Sequence, residues 1–257
     1  MTPDRILALF ALLGLAAVAL GAQEPASSYI SCLNAEQSQD KQTVYSDFVS
    51  GKPVRLRLRK AWWSEKPARV PLTVTTGLTS SRLEQLAHQC ASWRGPLSAA
   101  VYLVVKGDGK GGVGPEGEKA LADAADAVAT FHAKSEVADG CQLDVSLLYE
   151  VVADDVMTLL LPINTMRNYA LLQARTRLVA MIDVDLLVSS SLTDWMEVKD
   201  NVDYLQRECA AKRVFVLPAF ETPRNPDAAA AHRMAEQAVA SDKKGLEALV
   251  SKRLVHQ

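Results

Sequence analysis

The chain has 257 residues, enough for one large domain or two small ones, and 49% of them are hydrophobic against 23% charged, the balance of a globular protein with a substantial core. Its 28 basic and 30 acidic residues nearly cancel, so no global field selects nucleic acid or an anionic membrane as a partner. The absence of a Gly-x-Ser-x-Gly elbow and of a nameable Cys–His couple sets hydrolase chemistry aside.

At the N-terminus, Arg5 precedes an apolar run from Ile6 to Leu20 that closes on Gly21-Ala22-Gln23. A charged start, an apolar segment and small residues describe a secretory signal, with Ala19 and Gly21 at the cleavage positions. Extended through Ala22, the run also reaches the lower edge of a spanning helix. Residues 1–22 are therefore expected to be a signal peptide or an uncleaved signal-anchor, the latter holding the protein to a membrane through residues 6–22. Residues 23–69 form a polar stem or lead-in. Within it, Val54-Arg55-Leu56-Arg57-Leu58-Arg59 alternates with period two and also fits a half-exposed edge strand.

From residue 70 the pattern becomes regular. A strand over 70–76 is followed by a helix over 80–93 that stops at Gly95-Pro96, then a strand over 97–105 and an Ala-rich helix over 116–134. Next come a strand over 143–152, a helix over 164–175, an apolar strand over 178–182 and a helix over 192–209. A strand over 213–217 and a helical stretch over 227–254 close the chain. Strands alternating with helices of this length predict βα units: an α/β domain over 70–257 with a mostly parallel sheet flanked by helices. Ligands of such sheets bind beyond the carboxyl ends of the strands.

Leu178-Val179-Ala180-Met181-Ile182 has the apolar character of a central buried strand, and it ends in Asp183-Val184-Asp185. Two carboxylates at alternate positions of an extended backbone point the same way. At a strand's carboxyl end they would converge on a hard divalent cation, manganese or magnesium, that keeps positions open for water and phosphate oxygens. The alternative is that one Asp caps the next helix and the other faces solvent. Upstream, Asn164 is placed as an N-cap, with Arg167 and Asn168 in the first turn, where an anion is favoured. Arg167 fits either a phosphate or sugar contact or an ordinary surface arginine.

Gly107-Asp108-Gly109-Lys110-Gly111-Gly112 satisfies the dinucleotide pattern between a strand and a helix. Its glycine density and the delayed helix start at Pro115 point instead to a flexible surface insertion. Cys32, Cys90, Cys141 and Cys209 are too widely spaced for a zinc motif. They allow one or two disulfides in an oxidising lumen, while Cys90, in an apolar helix, fits a free buried thiol as well. His88, His132, His232 and His256 show no paired ligand spacing, and His88 and His132, in expected helices, are read as surface or core residues.

Taken in order, several blocks resemble glycosyltransferase family 49, which includes the enzymes that build the glucuronic acid–xylose glycan of dystroglycan. They are Val74-Thr75-Thr76-Gly77-Leu78-Thr79, Arg82-Leu83, the run from Cys90 to Ser98, Pro162-Ile163-Asn164, Arg167-Asn168, Asp183-Val184-Asp185, and the run from Val216 to Thr222. The resemblance implies a GT-A type fold and inverting transfer of glucuronic acid, or of xylose, from a UDP-sugar to a glycan or glycoprotein acceptor. It implies a type II membrane protein of the Golgi lumen. It further implies that Asp183 and Asp185 hold Mn2+ (or Mg2+) and that Thr76, Asn164, Arg167, Asn168 and Asp183 meet the donor. An inverting transfer needs a base for the acceptor hydroxyl, and Glu221 is the carboxylate nominated for it; it fits equally a residue that orients the acceptor or caps the turn before Pro223. The resemblance stops at Gln257, whereas the family continues into a His-containing, aromatic block that supplies a further metal ligand and much of the acceptor site. By this comparison the acceptor half is missing, and the alternative function is a nucleotide-sugar-binding or scaffolding domain without turnover.

Overall fold

A computed structural model describes residues 56–152, 161–223 and 227–256. The expected signal or anchor, Cys32 and most of the expected stem lie outside these residues. Among the described residues no helix is long and apolar enough to cross a membrane.

The chain order is β1 (Leu56–Trp62), β2 (Leu72–Thr79), α1 (Leu83–Trp93), β3 (Pro96–Lys106), α2 (Pro115–Val137), β4 (Gln142–Val152), α3 (Ile163–Gln173) and β5 (Leu178–Met181). There follow α4 (Ser190–Glu197), α5 (Lys199–Ala210), α6 (Ala228–Ala240) and α7 (Lys243–Ser251). The five strands form one sheet in the order β1-β4-β3-β2-β5, with β1 antiparallel to β4 and every other pair parallel. Central β3 is a nearly continuous apolar run because both of its faces are covered, and its neighbour β4 is buried almost throughout although it carries Asp144, Ser146 and Glu150. One face packs Ala99, Val101 and Val145 against Leu86, Val128, Met196 and Leu205, from α1, α2, α4 and α5. The opposite face packs Ala100, Tyr102 and Leu148 against Met166, Tyr169 and Ala170 of α3. These are the two layers of helix expected of the α/β class.

Of the two readings of the Arg-Leu alternation, the edge strand is the one that forms. Leu56 and Leu58 are buried, whereas Arg59 and Lys60 are exposed. The sheet thus begins at Leu56, before the boundary expected at residue 70. Three further expectations are corrected. The helix over 192–209 is two helices, because Val198 takes an extended ψ of 116° and ends α4. The stretch over 227–254 also divides, at Ser241-Asp242, where the Asp242 side chain caps α7 by accepting the Gly245 N–H. Over 213–217 the described residues form a single β-bridge position at Phe215 and not a strand: Phe215 and Leu217 pack on the core while Val214 and Val216 face solvent, so the period-two alternation is real, but none of the five described strands pairs with it.

Cys90 and Cys141 form a disulfide that ties the last turn of α1 to the start of β4, which overturns the free-thiol reading of Cys90. Cys209 is free and half-buried, and burial pushes its thiol pKa up. The glycine-rich segment is a closed turn and not a loose insertion. Gly107 and Val113 bridge, and the Asp108 carboxylate accepts the N–H groups of Lys110 (2.7 Å) and Gly112 (2.9 Å). Those hydrogen bonds hold the Asp108 pKa below its usual value. A carboxylate of the chain itself therefore takes amides that a phosphate would need.

Beneath the sheet's amino edge, Asp144 is 3% exposed and paired two-pronged with Arg175 at 2.8 Å on each oxygen. It also accepts the Ser64 N–H at 2.9 Å, and Arg175 donates to the Ser64 carbonyl at 3.0 Å. This cluster joins the segment after β1, strand β4 and the α3–β5 connection.

Candidate functional site

The strand order creates a crevice. From β2 the chain steps to β3 and β4, then returns to place β5 on the other side of β2, so the winding reverses between β2 and β5. Beyond the carboxyl ends of strands at such a reversal, open α/β sheets bind ligands. The register sharpens the location. Thr75 pairs with Met181, the last residue of β5, but β2 runs on to Thr79 beside β3. The segment leaving β5 therefore passes along the end of β2, and that segment is Asp183-Val184-Asp185.

Here the backbone differs from expectation. The ladder ends when Ile182 donates to the Thr75 carbonyl (3.1 Å), and Leu186 then donates to the Asp183 carbonyl (3.0 Å), closing a turn. The two carboxylates sit at its first and third positions and not on an extended strand. Val184, between them, is buried and anchors the turn in the core. Gln89 of α1 fastens it further, its side-chain amide donating to the carbonyls of Asp183 and Leu186 at 3.0 Å each.

Both carboxylates remain open, at 65% side-chain exposure for Asp183 and 57% for Asp185. Each meets an arginine: Arg167 donates to Asp183 at 3.1 Å, and Arg82 donates to Asp185. An oxygen-only donor pair with open flanks fits manganese or magnesium, which keep waters and phosphate oxygens in their shells. The two guanidiniums fit the remaining charge of a diphosphate, which they can bind through paired N–H donors.

Arg167 reaches the turn because α3 lies close on the sheet. Gly77 in β2 permits this: a Cβ there would lie 3.2 Å from Met166 Cβ. Gly77→Ala is expected to cost about 1–3 kcal/mol in urea unfolding through overpacking. An unchanged midpoint would show that α3 can shift freely.

The other expected site residues are distributed unevenly. Asn164 and Asn168 are exposed on α3, but the helix is capped at Pro162, so Asn164 is its second residue and not its N-cap. Thr76 lies within β2 and is 1% exposed; its hydroxyl has no hydrogen-bond partner, and it is not at an open strand end. Glu221 is exposed and bridges His256 through two backbone hydrogen bonds of 2.7 and 2.9 Å, with its carboxylate 3.7 Å from His256 Nε2. Among the described residues no hydrogen bond or ion pair joins Glu221 to the Asp183 turn. Sequence reasoning assigned no role to Arg82 or Gln89. Gln89 shares a helical face with buried Leu86 and Trp93, and a polar side chain on a core-facing stripe was its available signal.

The model of the family described as glycosyl-transferase for dystroglycan matches residues 119–257. The xylosyl- and glucuronyltransferase LARGE2 of Mus musculus is 31% identical over 151 residues, 59% of this chain and 18% of that protein. The Rattus norvegicus LARGE2 is 34% identical over 151 residues, 59% of this chain and 19% of that protein. A glycosyltransferase-like protein, gnt14 of Dictyostelium discoideum, is 28% identical over 155 residues, 60% of this chain and 20% of that protein. The chain thus spans a fifth or less of the length of these relatives.

Proposed function

This chain belongs to the glycosyl-transferase family for dystroglycan, matched over more than half its length, and from that premise we propose that it is a metal-dependent inverting glycosyltransferase. The donor is a UDP-sugar carrying glucuronic acid, with xylose the other candidate, and the acceptor is a glycan or glycoprotein of the secretory pathway. The observation that carries this reading is the turn Asp183-Val184-Asp185 at the switch point, flanked by Arg82 and Arg167.

In this reading Asp183 and Asp185 hold Mn2+ or Mg2+. Once bound there, the cation would neutralise charge on the diphosphate as it departs. Arg82 and Arg167 release the carboxylates and turn to the phosphate oxygens, while Asn164 and Asn168 on α3 face the donor. The acceptor hydroxyl oxygen attacks the anomeric carbon as the bond from that carbon to the UDP oxygen breaks. The bonding pair leaves on the diphosphate, configuration inverts, and the hydroxyl proton passes to a base. Glu221 is our assignment for that base, since it is an exposed carboxylate that among the described residues pairs with His256 and with no arginine.

The test is UDP release from UDP-glucuronic acid and from UDP-xylose, each with manganese and a glycan acceptor. Manganese-dependent release from either donor supports the reading, and none from either, in chain that binds UDP, supports a binding domain without turnover. Within this assay Arg167→Ala and Arg82→Ala are each expected to raise KM for the UDP-sugar about ten- to a hundredfold. Each loses a charge-assisted hydrogen bond worth about 1.5–3 kcal/mol. An unchanged KM in both would remove the guanidiniums from the donor site.

A further inference from the structure

His88 lies on α1 and His232 on α6, far apart in sequence, yet their ring centroids are 4.0 Å apart with planes tilted by 54°. Glu236 follows His232 by one helical turn and places Oε1 3.1 Å from His232 Nε2. One ligand atom from each of the three side chains lies within 4.8 Å of the other two. The two residues on α6 share a face through their i,i+4 spacing, and α1 supplies the third from across the helix interface. A neutral imidazole presents one acceptor nitrogen. Two such nitrogens and a carboxylate oxygen converging at a partly exposed spot make the donor set of a three-ligand zinc site with a fourth position open to water.

We propose that His88, His232 and Glu236 bind a divalent transition metal of the zinc type and so join α6 to α1. This site differs in chemistry from the Asp183 turn. Imidazole donors favour zinc and its neighbours, whereas the oxygen-only turn favours manganese or magnesium. The consequence is mechanical. His88 adjoins Gln89, whose amide holds the carbonyls of the Asp183 turn, so the metal braces the helix that supports the donor side. A second tie, from Ser189 Oγ to the Val239 carbonyl at 3.0 Å, fixes the far end of α6. Binding of zinc here does not depend on sugar transfer, so the two proposals can fail separately.

The full chain, stripped with a chelator and dialysed, is titrated with zinc chloride in a calorimeter, and its thermal midpoint is read with and without zinc. Cobalt(II) serves as a spectroscopic probe through its visible d–d bands. One zinc per chain and a raised midpoint are expected, with both lost in His88→Ala, His232→Ala and Glu236→Gln and retained in Asp183→Asn. Glu236 is exposed, so Glu236→Gln keeps the test valid if a histidine variant folds poorly. No saturable zinc uptake, uptake undiminished in all three variants, or uptake lost in Asp183→Asn would each overturn the proposal.

Discussion

Asp183→Asn and Asp185→Asn should each lower kcat/KM for sugar transfer by roughly a thousandfold, about 4 kcal/mol of transition-state stabilisation. Asn keeps the shape and one oxygen but removes the charge that holds a hard cation. Folding should be barely affected. Both side chains are more than half exposed and their arginine pairs lie at the surface, where such pairs contribute about 0–1 kcal/mol. The expected signature is therefore lost turnover at an unchanged urea midpoint. Turnover retained in both variants would remove the metal from this turn, and lost turnover with lost stability would recast the pair as a structural element.

Asp144→Ala is expected to have the opposite signature, costing about 3–5 kcal/mol of stability. It leaves the Arg175 guanidinium without its two-pronged partner and the Ser64 N–H without its acceptor, at a site where Asp144 is almost wholly buried. Because the cluster joins two connecting segments to strand β4, urea unfolding should shift strongly while UDP affinity measured well below the new midpoint stays near wild type. A pH dependence follows as well. Burial pushes the Asp144 carboxyl up to about 6, with the Arg175 charge and the Ser64 amide pulling the other way. A carboxyl whose folded pKa exceeds its unfolded value binds its proton preferentially in the native state. Its contribution is fully present below the unfolded value of about 4 and declines as pH rises through about 6. Relative to Asp144→Asn, wild-type stability should fall by about 2 kcal/mol from about pH 4 to about pH 7. Parallel curves for the two proteins would contradict the raised pKa.

The α/β class and the position of the carboxylates were legible because strand–helix alternation and a buried run ending in Asp are local patterns. The turn geometry at 183–186 was not legible, since it depends on where β5 stops pairing with β2. The arginine partners of Asp183 and Asp185 were hidden for a related reason: Arg82 and Arg167 approach from α1's entrance and from α3, segments brought together only by the sheet order. The Cys90–Cys141 bond was one of several permitted pairings until α1 and β4 were placed side by side. Residues 213–217 show the converse, a correct period-two pattern that joins none of the five described strands and carries only a bridge position at Phe215. His88 and His232 likewise share no sequence spacing and meet only through the packing of α6 on α1.

The central claim is that Asp183 and Asp185 hold a cation against a uridine diphosphate, and calorimetric titration of UDP into the chain tests it most directly. The account predicts saturable UDP binding in manganese, abolished by EDTA and by Asp185→Asn. UDP binding of equal strength in EDTA, or undiminished in Asp185→Asn, would contradict it.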